Sequence, residues 1–392
     1  MLGGVTVRDS STHTPEKDKP ARDFRLVSDG DSSTIAASSG FLDIKKTPKA
    51  RRKSDIHDLL PEMLSRHETE SCGFRVLRVG ESLSDTYAVK VAFYTVGAKS
   101  ITRCTELSSG QTYVMKRRQK DAYGSEIEKH WRRVMERIIR MDPHPNVVAL
   151  REIVEDEEAF YIVMEECTGG QLFDLLLLES AMTQRECKRI IREILGAVNH
   201  LHDNGLIHRD IKPENLMLSS SESDSRIVLI DFDTCEEIGS RRLSMAISPS
   251  DRPLRRRSSR VIGTLGYIAP ECFNGEYSAA SDLFSVGVIF YTLMTGDLPF
   301  DDSIYESQHG EPHESDELQV AGSPKSKRVH RGLTSANVDW NVSPWPQLSL
   351  AKGLCQRLIQ TDPDERISSC KEALEHPWLA TAYPATPFKS NI

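Results

Sequence analysis

Three positions along the chain carry charged and polar side chains that could together transfer a phosphoryl group. They are Lys116 in Y-V-M-K, the segment from His208 to Asn215 that reads H-R-D-I-K-P-E-N, and Asp231 in D-F-D. Transfer to a hydroxyl needs a base that accepts the proton, a magnesium ion held on the phosphates, and a cation that fixes the phosphates in line. The sequence offers candidates for each of these functions in a fixed order.

The order and the residues of these motifs resemble those of the eukaryotic protein kinase family, and the resemblance covers roughly residues 87 to 380. It implies a serine/threonine kinase that uses ATP and Mg2+ to phosphorylate a protein. Substrates with basic residues before the target hydroxyl are among those that the resemblance allows. The segments G-G-Q-L-F-D at 169–174 and A-L-E-H-P-W at 373–378 resemble the calcium/calmodulin-dependent kinase-like group. Since the sequence holds no E-F-hand loop, this likeness does not imply control by calcium.

The resemblance assigns a catalytic or ligand-binding role to each matching side chain. Asp210 would orient the substrate hydroxyl and accept its proton, while Asn215 and Asp231 would hold magnesium. Lys212 is the serine/threonine-type residue that would reach the transferred phosphate. Lys116 would bind the α- and β-phosphates, which makes it both a catalytic and a nucleotide-binding candidate.

A second lysine motif competes with Lys116 for the phosphate-binding position. The segment that ends at Lys90 reads Y-A-V-K, but it lies too far upstream of the H-P-N triplet at 144–146. Lys116 also follows the expected landmarks Cys104 and Gly110. We therefore place the phosphate-binding lysine at 116 and Lys90 at the start of the first strand of the domain.

Two motifs depart from the family pattern. The phosphate-cradling loop should lie at residues 93–99, where only Gly97 remains of the family's G-x-G-x-x-G. In D-F-D, Asp233 takes the place of the family's glycine. A glycine at this position would let the backbone adopt unusual angles. The metal ligand is kept, but the switch between active and inactive forms is expected to be restricted. An alternative therefore stays open, a pseudokinase or scaffold with weak nucleotide binding.

The carboxylate partner of the phosphate-binding lysine is expected on the helix that precedes H-P-N. The family register falls on Val134 or Met135, so the adjacent Glu136 is our candidate. Glu128 also fits the distance from Lys116. A third possibility is that these glutamates are solvated helix charges.

The segment M-E-E-C at 164–167 resembles the hinge between the two lobes of the family. Its backbone at Glu165 and Cys167 would bind adenine. Further along, Glu214 is a candidate for pairing with an arginine of the substrate. These roles come from the resemblance alone.

The C-terminal half carries landmarks with structural roles in the family. Glu271, at the end of G-T-L-G-Y-I-A-P-E, should pair with Arg366 in D-P-D-E-R. Asp282 should bond the backbone of the catalytic loop, and Thr264 should lie near Asp210. These contacts would hold the catalytic residues in place.

The activation segment runs from Asp231 to Glu271 and is rich in arginine. Ser258 and Ser259 follow R-R-R, and we hypothesise that one of them is phosphorylated, because arginines could order around the new charge. The alternative is a solvated loop without a regulatory role.

The hydrophobic pattern predicts an α+β protein in which a small strand-rich part precedes a large helical part, and the resemblance implies the two-lobed kinase fold. Short apolar alternations and a buried run at 159–164 predict a small β-rich N-lobe at about 87–164. Helical patterns predict a larger C-lobe at about 168–380. Residues 1–73, rich in Ser, Thr and Lys, are predicted to be a disordered tail, and residues 381–392 a short C-terminal tail.

Composition narrows the class of protein further. The net charge of −8 argues against a general nucleic-acid binder, and 38% hydrophobic residues suffice for a sizeable core. No signal peptide or membrane span is found, so we expect a cytoplasmic protein. The basic run at 45–53 is either a nuclear or docking signal or a solvated charged stretch. The oligomeric state is not encoded in any recognisable motif.

Overall fold

The computed structural model describes residues 73–96, 99–120, 125–178, 182–222, 225–238, 256–306 and 319–380. These residues belong to one unit, Leu60–Ile392, and the other unit, Met1–Leu59, is outside the described part. Both predicted tails, apart from Gly73, lie outside the described residues, as does Gly97.

A six-stranded sheet forms the N-lobe, with the strand order β1-β5-β6-β4-β3-β2. The strands are β1 (Phe74–Val76), β2 (Tyr87–Val96), β3 (Lys99–Glu106), β4 (Thr112–Gln119), β5 (Leu150–Glu155) and β6 (Ala159–Met164). Neighbours pair antiparallel except β1, which pairs parallel to β5. The sheet therefore begins at 74 and not at 87, because β1 is too short to show an alternating pattern.

One helix, α1 (Glu126–Ile139), packs against this sheet. Ser125 caps its start by accepting a hydrogen bond from the Glu128 amide at 3.2 Å. Its buried side chains are spaced three and four residues apart, as one face of a helix requires: Trp131, Val134, Met135 and Ile138. The Trp131 and Phe160 rings lie 4.8 Å apart, which joins helix to sheet.

Helices make up most of the C-lobe. They are α2 (Leu172–Leu178), α3 (Gln184–Asp203), α4 (Ala279–Thr295), α5 (Pro324–Ser335), α6 (Ser349–Leu358), α7 (Cys370–Glu375) and α8 (Pro377–Ala380). Helix α4 is buried on every side from Ala280 to Met294, so it forms the centre of the lobe. Helix α3 begins with a capping box in which Thr183 and Glu186 bind each other's backbone amides.

Three short strand pairs hold the loops that carry the predicted site. The pairs are β7 (Leu206–Ile207) with β10 (Glu236–Glu237), β8 (Leu216–Leu218) with β9 (Ile227–Leu229), and β11 (Arg256–Arg257) with β12 (Glu276–Tyr277). The segment at 208–215 connects β7 to β8, and Asp231 follows β9 by two residues.

Backbone hydrogen bonds also join the activation segment to residues 319–321. Val261 donates to the Gln319 carbonyl at 2.7 Å, and Ala321 donates to the Ser259 carbonyl at 3.0 Å. We call this pairing the activation-segment seam. The hydroxyl of Ser258 lies in a tight turn beside it, where it accepts from the Arg260 amide at 3.1 Å.

The predicted fold class is confirmed, since a sheet-rich N-lobe precedes a helical C-lobe. Across the described ranges, none of the helices combines the length and the apolar character that crossing a bilayer would need.

Candidate active site

The catalytic-loop backbone is held by one buried carboxylate, Asp282 in helix α4. The amides of His208 and Arg209 donate to its two oxygens, each at 2.9 Å. Arg209 has a φ of 68°, a left-handed conformation that is unusual for a residue with a side chain. The two hydrogen bonds thus support a strained turn directly before Asp210, as the sequence predicted for Asp282.

His202 of helix α3 completes this anchor. Its Nε2 lies 2.9 Å from Asp282 Oδ2. Burial alone would lower the pKa of His202, but hydrogen bonds to Asp282 and Cys370 outweigh it and raise the pKa to about 10. The pKa of Asp282 is lowered, because the opposing effect of burial is exceeded by His202 and the His208 amide. The anchor is therefore an ion pair.

Asp210 is the centre of a cluster of four polar side chains. The hydroxyl of Thr264 donates to Asp210 Oδ1 at 2.7 Å, and Lys212 Nζ lies 3.2 Å from Oδ2. Lys212 also donates to Thr264 at 2.7 Å. Asn215 Nδ2 donates to the backbone carbonyl of Asp210 at 2.8 Å and to Oδ2 at 3.1 Å. The structure thus brings together three predicted site residues, and it places Thr264 beside them as expected.

Asp231 and Lys116 meet across the cleft between the lobes. Lys116 Nζ donates to Asp231 Oδ1 at 2.7 Å and lies 2.8 Å from Asp233 Oδ2. Burial would lower the pKa of Lys116, but the charges of Asp233 and Asp231 outweigh it and raise the pKa. The pKa of Asp231 is lowered, since the attraction of Lys116 exceeds the effect of burial. A charged ammonium therefore lies between two carboxylates.

Asp233 is a partner of Lys116 that sequence reasoning missed. From D-F-D the sequence predicts only an effect on the backbone, because aspartate replaces glycine there. The signal that could have found the contact is the replacement itself, which adds a carboxylate two residues after the predicted metal ligand Asp231.

The structure does not bring Glu136 to Lys116. Glu136 Oε1 lies 3.4 Å from Nε of Arg132, one turn earlier in helix α1. Within the described ranges, the ion pairs of Lys116 are those with Asp231 and Asp233. The reason is helical geometry, since Glu136 follows the buried Met135 and lies off the face that packs into the N-lobe.

The hinge segment follows β6 and leads into α2. The Glu165 amide donates to the Ala149 carbonyl at 2.9 Å, and Arg103 Nε donates to Glu166 at 2.7 Å. Burial raises the pKa of the half-buried Cys167 thiol to about 11, so this cysteine is an unreactive thiol near neutral pH. Gly169 lies at the end of the hinge segment. A Cβ atom at this position would lie 2.1 Å from the Ser220 carbonyl oxygen, so only glycine fits.

A buried ion pair supports the segment after Thr264. Arg366 Nη1 and Nη2 bind the two oxygens of Glu271 at 2.8 and 3.0 Å. Arg366 also donates to the Ala280 carbonyl at 2.7 Å, which ties the pair to helix α4. The contact agrees with the expectation from the sequence.

The donors near Asp210 fit a magnesium ion. Asp231 offers a carboxylate, and Asn215 offers its amide oxygen because its nitrogen is bound to Asp210. In the described ranges, the structure contains no group of three or more His, Cys, Asp or Glu side chains that could hold a metal. Magnesium matches such a small donor set, because it commonly binds one or two carboxylates and completes its shell with phosphates and water.

Comparison with known proteins agrees with this geometry. The family model described as protein kinase domain matches residues 97–379. Calcium-dependent protein kinase 24 of Arabidopsis thaliana is 32% identical over 281 residues, which are 71% of this chain and 42% of that protein. A serine/threonine-protein kinase H1 homolog of Danio rerio is 28% identical over 338 residues, 84% of this chain and 70% of that protein.

Human serine/threonine-protein kinase H1 is 32% identical over 256 residues, 65% of this chain and 52% of the human protein. The chain spans about half the length of the plant relatives that it matches, from 42% of Arabidopsis calcium-dependent protein kinase 24 to 55% of rice calcium-dependent protein kinase 2. The family model covers most of the chain, and its match encloses all four residues of the Asp210 cluster. The chain belongs to the protein kinase family.

Proposed function

We propose that this protein is an active serine/threonine protein kinase that transfers the γ-phosphate of ATP to a protein hydroxyl. The cluster around Asp210 carries the proposal. A hydroxyl, that of Thr264, already donates to Asp210 Oδ1 at 2.7 Å, and the cation of Lys212 lies 3.2 Å from the other oxygen. A carboxylate in this setting can orient an acceptor hydroxyl and take its proton.

The other site residues would bind and position the nucleotide. When bound, ATP supplies the phosphoryl group and magnesium neutralises the charge that develops on it. Asn215 and Asp231 would hold the metal, and Lys116 would fix the phosphates. The backbone at Glu165 and Cys167 would receive adenine, and Gly97 would approach the phosphates.

The proposed acceptor is a protein with a basic residue before its target serine or threonine. Glu214 supports this choice, because it lies in the turn that follows Lys212. Among the described residues, its buried Oε2 has no hydrogen-bond partner. An arginine of a substrate could satisfy this oxygen with a charge-assisted hydrogen bond.

A pseudokinase or scaffold is the second candidate function. It is favoured by the two carboxylates on Lys116, which neutralise the cation that ATP phosphates would need. It is also favoured by Asp233 in place of glycine. We prefer the active kinase because the residues that perform the chemistry are retained.

Phosphate transfer distinguishes the two candidates. The full chain is incubated with labelled ATP, magnesium and a basic peptide, beside Asp210→Asn and the exposed control Asp302→Asn. An active kinase gives transfer by the wild type and the control, and loss of about a hundredfold or more in Asp210→Asn. Equal background transfer by all three proteins refutes the enzyme. ATP-induced stabilisation measured in parallel then reports whether a nucleotide-binding scaffold remains.

A further inference from the structure

One ammonium group in this protein has two carboxylate partners that differ in their surroundings. Lys116 Nζ lies 2.7 Å from Asp231 and 2.8 Å from Asp233. The side chain of Asp231 is 38% exposed, whereas those of Asp233 and Lys116 are 14% and 11% exposed. Asp231 is therefore the more solvent-exposed carboxylate, and Asp233 lies beside the lysine in a drier environment.

The two carboxylates cannot have the same role once the cleft is loaded. Asp231 is one of the two oxygen donors that fit magnesium, and an oxygen bound to the metal competes with its bond to Lys116. Asp233 follows two residues later, and its amide donates to Asp231 Oδ1 at 3.2 Å. Lys116 and this amide both donate to Oδ1 of Asp231, so a cation could bind the exposed carboxylate through its other oxygen while Asp233 stays at the lysine.

The helix that was expected to supply the lysine's partner places its charge elsewhere. Glu136 binds Arg132, and Arg132 in turn binds Glu155 of strand β5. Glu155 also lies 2.7 Å from Lys120. This ion-pair network connects helix α1 to the sheet and holds the Glu136 carboxylate away from the cleft.

We propose that Asp233 is the permanent carboxylate partner of Lys116 and positions its ammonium group for nucleotide phosphates, in place of a helix glutamate. Asp231 is then the exchangeable partner, which binds the lysine in the empty cleft and a divalent cation in the loaded one. Asp233 is a positioning residue, since it acts through Lys116. The inference rests on the proposed function, because it assumes that the cleft binds a nucleotide with magnesium.

Nucleotide affinity with and without magnesium separates the two roles. A fluorescent ATP analogue is titrated into the full chain, either with excess magnesium or with EDTA, for the wild type, Asp233→Asn, Asp231→Asn and the control Asp302→Asn. We expect Asp233→Asn to weaken nucleotide binding by about tenfold in both conditions, because the substitution removes one charge-assisted hydrogen bond. Asp231→Asn should lose the gain in affinity that magnesium gives, and Asp302→Asn should match the wild type.

Two further variants exclude a general loss of structure. Asp233→Glu keeps the carboxylate and should recover part of the lost affinity, whereas Asp233→Gly should not. In the background of Lys116→Ala, Asp233→Asn should cost nothing further, because the two residues act as one unit. Additive losses in this cycle would show that Asp233 acts independently of the lysine and would overturn the proposal.

The outcomes distinguish this inference from the proposed function. If Glu136→Gln weakens binding and Asp233→Asn does not, the helix glutamate is the partner and the inference is wrong, although the kinase assignment stands. If the wild type binds no nucleotide even with magnesium, the proposed function itself fails, and the inference fails with it.

Discussion

The carboxylate of Glu236 lies 2.5 Å from Nε2 of His130, which joins the strand after Asp231 to helix α1 of the N-lobe. The other oxygen of Glu236 lies 3.5 Å from Arg209 of the catalytic loop. Glu236 is buried, so a single side chain in the activation segment connects the helix and the loop that contains Asp210. A buried carboxylate with two cationic or polar partners contributes more than an exposed ion pair does.

Glu236→Gln should therefore destabilise the protein. We expect a loss of about 1–3 kcal/mol in the free energy of unfolding, because Arg209 keeps its charge while its carboxylate partner is gone. Glu237→Gln is the matched control, since Glu237 binds Arg137 at 3.4 Å in a more exposed pair that should contribute about 0–1 kcal/mol. Chemical denaturation measures both. Equal effects of the two substitutions would contradict a special role for Glu236.

Arg366→Met should be more damaging than any exposed charge substitution. It leaves the carboxylate of Glu271 buried without its bidentate partner, which costs about 3–5 kcal/mol. Arg366→Lys should recover only part of this loss, because an ammonium cannot bind both oxygens in the same plane. Arg357→Met, which removes an exposed partner of Glu372, is the control. Unfolding midpoints in urea that are alike for Arg366→Met and Arg357→Met would refute this expectation.

The His202–Asp282 pair predicts a loss of stability in alkali. The pKa of His202 is raised to about 10 in the folded protein, above its ordinary value near 6.5. The stabilisation is thus complete below pH of about 6.5 and is lost as the pH rises toward about 10, by up to ~1.4 kcal/mol per pH unit. Asp282 stays ionised over this range, because its pKa is lowered.

Urea denaturation of the wild type and His202→Gln at pH 6, 8 and 9.5 tests this prediction. The difference in unfolding free energy between them should shrink as the pH rises. Cys370 Sγ lies 3.7 Å from His202 Nδ1, so Cys370→Ala should be measured beside them to separate the contribution of this sulfur contact from that of the pair with Asp282. A difference that stays constant with pH would show that His202 is neutral when folded.

Gly169 should not accept even a methyl group. In Gly169→Ala the new Cβ would lie 2.1 Å from the Ser220 carbonyl oxygen, so backbone must move, at a cost of about 1–3 kcal/mol. Gly353→Ala provides the opposite control, because nothing lies within 4 Å of its Cβ position and it is inside helix α6. That substitution should stabilise the protein by about 0.5–1 kcal/mol. Thermal unfolding measures both, and a neutral Gly169→Ala would contradict the close approach.

The sequence predicted best those parts of the site that are encoded by neighbouring residues. The loop around Asp210 is one continuous motif, and a single turn of backbone brings Lys212 and Asn215 to the carboxylate. Pairs of distant motifs, such as Glu271 with Arg366, were also predicted correctly, because each motif has a recognisable sequence pattern of its own.

Contacts that depend on how elements rotate and pack were not predictable in the same way. The direction of Glu136 depends on which face of helix α1 is buried, and a shift of one residue turns a side chain by about 100°. Strand β1 is similar, since three residues carry no periodic signal and gain their structure only by pairing with β5. The ion pair of Asp233 with Lys116 joins residues that lie far apart in the sequence, so it has no local sequence signature.

The activation-segment seam determines which substitutions this part of the protein can tolerate. Its hydrogen bonds join backbone to backbone between 259–261 and 319–321, and Arg260 and Val320 are both exposed to solvent. Substitutions on both segments can therefore change the exposed side chains and their charge while the backbone hydrogen bonds of the seam persist. Only a proline at a donating position, Val261 or Ala321, would remove the amide that the seam depends on. The exposed side chains at 260 and 320 can thus be replaced while the backbone pairing stays the same.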